Sequence, residues 1–340
     1  MLAYLTYPEW IKPEIIPGLP LRWYGLMYLV AFGVAYLLFR VQIKQRKLDV
    51  DPDDILNFFF WGIIGLLIGA RLFATLLFDP THTYLRKPWL IFWPFTDGFQ
   101  FVGLQGMNYY GGLVGALVAV FIYTKKKNIS LLDWGDMLVA GIPLGYTFGR
   151  LGNFINAELF GRVTTAPWGI IFPQARRFSA SEEWVQEKAA QIGMDIPSAG
   201  LVNLPRHPTQ LYEAFFEGIV LWAIIWFFFR KRKPFNGFVI GVYVIGYGIM
   251  RFIIDYFRLP ISANDFFLKL SPIENPTYLF LTPLNFINSQ LYSMLMIVGG
   301  VLFLFIARSY SRRHAESEIE TAKNKKVSAR KLRKKIDGKN

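Results

Sequence analysis

The chain has 340 residues, of which 53% are hydrophobic and 18% charged, with a net charge of +13 and no cysteine. Its apolar residues form long blocks, which excludes a single soluble core, and the lack of cysteine excludes disulfides, thiolate metal sites and a cysteine nucleophile. Any thiol in its chemistry must therefore belong to a substrate. The three histidines, His82, His207 and His314, are far apart in the sequence, so we predict no metal site and no cofactor.

Segments of about 20 mostly apolar residues predict transmembrane helices. Residues 1–20 lack a basic segment followed by an apolar core, so we expect no cleavable signal peptide. The predicted fold class is an all-α integral membrane protein with about seven transmembrane helices. The predicted spans are Leu21–Phe39, Ile55–Phe78, Tyr109–Tyr123, Leu131–Leu151, Pro208–Phe229, Gly237–Phe257 and Ser289–Ile306.

Four clusters of lysine and arginine follow the first, third, fifth and seventh predicted helices. They comprise Arg40, Lys44, Arg46 and Lys47; Lys125, Lys126 and Lys127; Arg230, Lys231, Arg232 and Lys233; and Arg308, Arg312 and Arg313. All four fall on one side of the membrane if seven spans alternate, and basic residues favour the cytoplasmic side. We therefore predict that the N-terminus lies outside and the C-terminus inside.

The connections divide the chain into a membrane domain, residues 1–306, and a basic tail, residues 307–340. Residues 157–207, between the fourth and fifth helices, predict a small extracytoplasmic head. Leu85–Phe95 is aromatic and amphipathic, which is typical of segments that lie in the membrane interface. The tail carries twelve Lys/Arg against four Asp/Glu. We expect it to be disordered, and we favour a cytoplasmic anchor to anionic lipid over nucleic-acid binding.

Three arginines, Arg71, Arg150 and Arg251, lie within predicted helices, where each costs about 2.5–3.5 kcal/mol to insert. Helical rise places them about 21–28 Å from the inner helix ends, in the outer half of a hydrocarbon layer about 30 Å thick. Snorkelling to the headgroups, or pairing with a neighbour, accounts for any one of them. Three at similar depth favour a site for the phosphate of an outer-leaflet phospholipid, because arginine binds phosphate through a planar fork of donors.

Polar residues near these arginines follow helical spacing. In the sixth helix, Tyr247, Arg251, Asp255 and Arg258 share one face, which should turn towards the bundle interior or a wet cavity. A buried structural ion pair between Arg251 and Asp255 is an equally good interpretation. In the fifth helix, Gln210, Glu213 and Glu217 share a face, and Arg206 and His207 precede it.

The segment Gly149–Arg162 reads GRLGNFINAELFGR. It resembles the signature of the prolipoprotein diacylglyceryl transferase family, Gly-Arg-x-Gly-Asn-Phe-x-Asn-x-Glu with a glycine three residues later. The matching residues are Arg150, Gly152, Asn153, Asn156, Glu158 and Gly161. Three further blocks resemble the family in the same order, namely Arg22–Tyr28, Arg206–Glu213 and Tyr247–Arg258. The resemblance covers roughly Tyr24–Ile306.

The resemblance implies transfer of the diacylglyceryl group of phosphatidylglycerol to the lipobox cysteine of a prolipoprotein, with release of glycerol-1-phosphate. It places the site at the outer face of a bacterial inner membrane, with a periplasmic N-terminus. The expected partners are phosphatidylglycerol, prolipoprotein signal peptides and membrane lipids, and not nucleic acid. The residues expected to be catalytic are Arg150, Arg251, Tyr110 and Glu158. Those expected to bind phosphatidylglycerol are Arg150, Asn153, Asn156, Tyr24, Arg71, Gly111, Gly112, Gly161, His207, Gln210, Glu213, Tyr247 and Asp255.

Two positions depart from the family pattern. The family usually has His-Gly-Gly-Leu at the start of the third helix, where this chain has Tyr110-Gly111-Gly112-Leu113, and it commonly has Glu where this chain has Asp255. A tyrosine, whose ordinary pKa is near 10, is a poor base unless neighbouring cations lower that pKa, so hydrogen bonding or an interfacial position is the favoured role for Tyr110. The base is then Glu213, His207 or water, or the thiol ionises beside the arginines without any base. The alternatives to a transferase are a phospholipid-binding or transport protein without chemistry, and an inactive family member.

Overall fold

The structure, a computed structural model, describes residues 4–16, 18, 22–77, 79, 83–95, 99, 106–260, 262, 264–273 and 275–337, with side chains as far as Arg313. Leu21, Phe78 and His82, which the sequence analysis named, lie outside the described residues, as does much of the connection before Asn108. The chain forms two compact units. The first comprises Met1–Leu38 and Asp136–Asn340, and the second comprises Phe39–Gly135.

Helices dominate the described residues. In chain order they are α1 (Trp23–Gln45), α2 (Pro52–Leu77), α3 (Thr83–Arg86), α4 (Tyr109–Lys126), α5 (Leu131–Val139), α6 (Ile142–Ile155), α7 (Glu183–Gln191), α8 (Thr209–Phe229), α9 (Phe238–Ile254) and α10 (Asn288–Asp337). Of these, α1, α2, α8 and the stretch Asn288–Arg313 of α10 are long and apolar enough to cross a membrane, and α9 is a shorter apolar helix. The chain is therefore a mostly helical, multi-pass membrane protein, while the count of seven spans stays a prediction.

One predicted span is wrong as a continuous helix. Leu131–Leu151 is interrupted between α5 and α6, at Ala140 and Gly141. Pro143 follows in the first turn of α6, where its missing N–H leaves no bond unmade. Gly141 also lies against α1, and a Cβ added there would be 3.3 Å from the Ala35 Cα. The break therefore follows from a proline and a close backbone contact, neither of which hydrophobicity records.

The prediction of an all-α fold is incomplete, because three two-stranded sheets accompany the helices. Strand β1 (Leu5–Thr6) pairs in parallel with β2 (Ile170–Ile171). Strands β3 (Phe178–Ser179) and β4 (Leu201–Val202) are antiparallel, as are β5 (Phe266–Lys269) and β6 (Asn285–Ile287). The strands are two to four residues long, so they carried little periodic signal.

The predicted head, residues 157–207, contributes to two hydrophobic cores that it shares with other parts of the first unit. Helix α7 packs onto β3 and β4 through Val185, Ala189, Phe178 and Val202. Arg206 is buried, with its guanidinium 5.2–5.6 Å from the ring centroids of Phe160, Phe178 and Tyr278. The side of the membrane on which the head lies stays a prediction.

A second head core joins the N-terminal strand to the end of α6. Tyr7, Phe172 and Ala175 pack together, and the Tyr7 hydroxyl donates to the carbonyls of Phe154 (3.0 Å) and Ile155 (2.9 Å). The Phe154 carbonyl also accepts from Ala157 N (2.9 Å), so the Tyr7 hydroxyl adds a second contact there and ties the N-terminal segment to the end of α6.

Within the first unit, small residues bring the helices close together. Gly145 of α6 lies against the Ala31 carbonyl of α1, Gly218 of α8 lies against Thr147 of α6, and Gly248 of α9 lies against Ser293 of α10. Such contacts give close backbone packing, which is the main source of helix association in lipid. They set α6 against both α1 and α8, and α9 against α10.

Helix α10 is 50 residues long and continues to Asp337, through the tail for which the sequence analysis expects disorder. The structure differs from that expectation for a local reason. Residues 301–337 contain neither glycine nor proline and are rich in Ala, Glu, Lys and Arg, which have high intrinsic helix propensity.

Candidate functional site

Three arginines of the first unit converge on one carboxylate, that of Glu213 in α8. Arg150 of α6 places its Nε 2.9 Å from Glu213 Oε2. Arg251 of α9 places Nη1 2.8 Å from Oε1, and Arg258, just after α9, places Nε 3.3 Å from the same oxygen. Glu213 is fully buried, so it acts as a common counter-ion beneath the three guanidinium groups.

Two further carboxylates complete the cluster. Glu217, one turn along α8, lies 3.6 Å from Arg251, and Asp255 lies 3.3 Å from both Arg251 and Arg258. Three guanidinium groups thus face three carboxylates, so the cluster has as many acidic as basic side chains. The carboxylate side chains are at most 1% exposed, whereas those of the arginines are 12–22% exposed. The partly exposed guanidinium groups therefore have N–H donors available for an anion, and the buried carboxylates contact their other side.

Tyr146 links this cluster to α6. Its hydroxyl accepts a hydrogen bond from Arg150 Nε (2.6 Å) and donates one to Glu217, while its ring lies 4.6 Å beneath the Arg150 guanidinium. Tyr247 packs edge-on against the same ring, with the centroids 5.8 Å apart. Tyr146 was missed by sequence reasoning, although its position four residues before Arg150, one helical turn away, was an available signal. Arg258 and Glu217 were noted only as members of polar faces.

The turn after α6 carries the signature residues. Arg150 Nη1 donates to Asn153 Oδ1 (3.3 Å), and Asn153 Nδ2 donates to Glu158 Oε1 (2.8 Å). Asn156 Nδ2 donates to the same oxygen (3.3 Å). A chain of hydrogen bonds therefore connects the arginine cluster to the Glu158 carboxylate, and both amides are oriented by it.

The start of α8 supports this turn. Gln210 Nε2 donates to the Glu158 carbonyl, and Thr209 Oγ1 donates to the Leu159 carbonyl (3.0 Å). A Cβ at Gly161 would lie 2.7 Å from Thr209 Cγ2 and 3.0 Å from His207 Cβ. The geometry gives Gly161 a packing role, because only glycine allows so close an approach.

Tyr24 of α1 lies beside the same helix. Its hydroxyl is 3.0 Å from that of Tyr28, and a Cβ added at Gly152 would lie 3.2 Å from Tyr24 Cδ2. The first unit thus brings together ten residues that the sequence analysis placed at the site. They are Tyr24, Arg150, Asn153, Asn156, Glu158, Gly161, Gln210, Glu213, Arg251 and Asp255, and Tyr247 joins them through Tyr146.

His207 lies where the head meets α8, and its ring nitrogen Nδ1 is 3.0 Å from the Tyr212 hydroxyl. Trp168 Nε1 donates to the same hydroxyl (2.6 Å), so Tyr212 joins Trp168 to His207. Burial, and then the charge of Arg162, lowers the pKa of His207 from 6.5 to about 4. His207 is therefore neutral at pH 7, and a proton bound there would be weakly held.

This pKa predicts an acid-sensitive fold. The folded state binds the His207 proton less well than the unfolded state does. Neutral His207 therefore makes its full contribution to the free energy of unfolding above about pH 6.5. This contribution is lost as the pH falls towards 4, by up to about 3 kcal/mol. We expect a His207→Gln variant to lose less melting temperature than the parent between pH 7 and pH 4.5 in detergent. An equal loss in both proteins would contradict this assignment.

The remaining expected site residues belong to the second unit. Arg71 of α2 is buried, and its guanidinium donates to the carbonyls of Ile91, Gly106 (3.2 Å) and Leu90 (3.4 Å). Its described contacts hold the chain that follows α2. Gly111 packs against Gly69 and Phe73 of α2, and the neighbouring Gly112 faces Ala70 and Leu66. Both glycines serve the close packing of α2 on α4.

The chain matches a known protein family. The family model described as prolipoprotein diacylglyceryl transferase matches residues 13–306. The chain belongs to this family. A phosphatidylglycerol--prolipoprotein diacylglyceryl transferase of Treponema pallidum is 49% identical, over 91% of this chain and 97% of its own length. The enzymes of the same name from Treponema denticola and Borrelia garinii are 48% and 37% identical, over 90% and 95% of this chain and 95% and 99% of their own lengths.

The prolipoprotein diacylglyceryl transferase match includes the whole arginine cluster, from Arg150 to Arg258, and ends before the basic tail.

Tyr110, in the second unit, is the position at which this chain departs from the histidine usual in the family. Tyr110 is 59% exposed in the first turn of α4, and its ring lies edge-on to Tyr109 at 5.6 Å. Asn108 caps that helix by accepting a hydrogen bond from Gly111 N (3.0 Å).

Substitutions at Tyr110 separate its roles. Tyr110→Phe keeps the ring and removes the hydroxyl, so a role in hydrogen bonding or proton transfer predicts a loss of transfer activity of roughly fivefold or more, the loss of one hydrogen bond. Full activity would leave only the interfacial role. Tyr110→His restores the residue usual in the family, and activity at or above that of the parent would show that the site accepts it. The measurement is transfer rate per folded protein in membranes.

Proposed function

We propose that this chain transfers the diacylglyceryl group from phosphatidylglycerol to the cysteine thiol of a prolipoprotein lipobox, the first step of bacterial lipoprotein maturation. Its family and the names of its relatives support this transferase activity. The observation that carries the proposal for the site is the convergence of Arg150, Arg251 and Arg258, whose partly exposed guanidinium groups suit a phosphodiester.

The reaction balances without a cofactor. A thioether product requires that the cysteine sulfur form a bond to the carbon of the diacylglyceryl group that carries the phosphate. The bond from that carbon to the phosphate oxygen breaks at the same time. The electron pair leaves with glycerol-1-phosphate, which gains negative charge. The thiol loses its proton to water, because the thiolate is the nucleophile. Preorganised cations beside the leaving phosphate lower the energy of this transition state.

In this proposal, Arg150 and Arg251 bind the phosphate and stabilise the departing charge. Glu213, Glu217, Asp255 and Tyr146 are positioning residues, since they contact the guanidinium groups from the buried side. Asn153, Asn156 and Glu158 orient the headgroup. The thiol ionises beside the arginines, and His207 is disfavoured as its base by the lowered pKa.

A transfer assay tests this function. Purified protein is incubated with phosphatidylglycerol labelled in its acyl chains and a lipobox peptide, and we expect label on the peptide. A peptide with serine in place of the cysteine is the control, since its hydroxyl is a much weaker nucleophile. Lipid binding without transfer would favour the alternative of a phospholipid-binding protein, and folded protein with neither activity would favour an inactive family member.

We further propose seven spans in a bacterial inner membrane, with a periplasmic N-terminus, a periplasmic head at residues 157–207 and a cytoplasmic C-terminus. The basic clusters support this orientation. Reporter fusions after Lys127 and after Lys233 should both read cytoplasmic, and a fusion within the head, after Gln191, should read periplasmic. A periplasmic reading after either lysine would overturn this topology.

A further inference from the structure

A cavity of about 260 Å³ lies beside the signature turn in the first unit. Its lining residues are Pro13, Glu14, Arg22, Asn156, Glu158 and Gln174. The N-terminal wall is held in place by main-chain pairing, since Glu14 and Arg22 form an antiparallel bridge and Trp23 N donates to the Pro13 carbonyl (3.0 Å). The opposite wall is the turn that carries Asn156 and Glu158.

That turn has an unfavourable backbone. Glu158 stands between Ala157 (φ 53°) and Leu159 (φ 59°), two residues with a Cβ in the left-handed region. Such conformations persist only where the surroundings enforce them, and they concentrate at ligand-binding sites. Here the enforcing contacts come from Thr209 and Gln210 at the start of α8. The fold thus fixes the direction in which the Glu158 side chain is presented.

The polar groups at the cavity are of both kinds. Glu158 Oε1 accepts from two amides, and Asn156 Oδ1 is buried without a hydrogen-bond partner among the described residues. Gln174 supplies an amide and Arg22 a guanidinium on the other sides. Adjacent acceptors and donors suit a pair of neighbouring hydroxyl groups, because each hydroxyl both donates and accepts.

The cavity is also connected to the arginine cluster. The hydrogen bonds from Arg150 to Asn153 and from Asn153 to Glu158 span the interval between them. A headgroup whose phosphate contacts Arg150 therefore has a polar pocket beside it for what the phosphate carries. The glycerol of such a headgroup, with three carbons and two free hydroxyl groups, is small enough for a cavity of about 260 Å³.

We propose that this cavity binds the terminal diol of the phosphatidylglycerol headgroup and sets the headgroup preference, with Glu14, Arg22 and Gln174 as specificity-determining residues. The inference rests on the proposed function. Glu14 and Arg22 are opposite in charge and adjacent across the bridge, so they offset one another, and Glu158 is the remaining charged group of the lining. An ammonium headgroup is the competing occupant, because it would also meet the Glu158 carboxylate.

Product inhibition tests the proposal with soluble probes. The transfer reaction is measured with added glycerol-1-phosphate, phosphoethanolamine or inorganic phosphate, for the parent, Gln174→Ala and the matched control Gln191→Ala on the exposed side of α7. We expect the parent to bind glycerol-1-phosphate most tightly. We expect Gln174→Ala to raise its inhibition constant roughly three- to tenfold, the loss of one or two hydrogen bonds, and to leave that of inorganic phosphate unchanged.

Three results would overturn the proposal. One is an equal change for glycerol-1-phosphate and inorganic phosphate in Gln174→Ala, and another is no change for either. The third is equally tight inhibition by phosphoethanolamine with an equal response to Gln174→Ala, which would assign the cavity to an ammonium group. Failure of the proposed function is distinguishable, since the parent would then transfer no lipid in the absence of any inhibitor.

Discussion

Glu213→Gln is expected to destabilise the protein by about 3–5 kcal/mol, the usual cost of removing one partner from a buried ion pair. The substitution keeps the size of the side chain and removes its charge. Arg150, Arg251 and Arg258 would then share the two carboxylates of Glu217 and Asp255, in a part of the protein where water compensates little. The measurement is the melting temperature of purified protein in detergent, together with its level in membranes.

Glu187→Gln is the matched control for this substitution. Glu187 lies on the exposed side of α7, 3.9 Å from Lys188, so its loss should change the melting temperature little. If the melting temperature of Glu213→Gln equals that of Glu187→Gln, then Glu213 is not the counter-ion that holds the three arginines. Such a result would also remove the reason for calling Glu213 a positioning residue.

Arg150→Ala is expected to lower the transfer rate some tenfold to a hundredfold, as expected for the loss of a charged contact worth about 1.5–3 kcal/mol. Arg150→Lys should already impair transfer, because an ammonium cannot reproduce the planar fork that contacts Glu213, Tyr146 and Asn153 together. The rates are measured at saturating lipobox peptide and corrected for the amount of folded protein.

Arg177→Ala, at an exposed position of the head, is the control for this series. Its transfer rate should equal that of the parent. Near-normal turnover of Arg150→Ala at a normal protein level would place Arg150 outside the site. A lowered melting temperature with an unchanged rate per folded molecule would assign it a structural role alone.

The cluster reconciles two interpretations that the sequence left open. Arg251 and Asp255 do form an ion pair, as the structural interpretation expects. The same guanidinium also contacts Glu213 and Glu217 and keeps part of its surface exposed, as a phosphate site requires. Pairing the arginines with buried carboxylates offsets the cost of holding three cations together, and it orients their donors before a substrate arrives.

Local sequence determined much of this protein. Long apolar blocks predicted a membrane protein because hydrophobicity over about 20 residues is a property of the segment itself. The observed α1, α2, α8 and α10 begin within a few residues of the predicted spans, and α2 and α8 also end there, whereas α1 continues to Gln45 and α10 to Asp337. The signature around Arg150 and Glu158 was sufficient to indicate the family, which the comparisons confirm.

Only the tertiary structure decided which polar side chains meet. Helical periodicity assigned Glu213 and Glu217 to one face of α8 but could not show which helix lies opposite, and that neighbour makes Glu213 the shared partner of Arg150 and Arg251. Tyr146 and the break at Gly141 depend in the same way on contacts between helices. Contacts of this kind join residues as far apart in the sequence as Ala35 and Gly141. Their energies come from burial and pairing that no local pattern records.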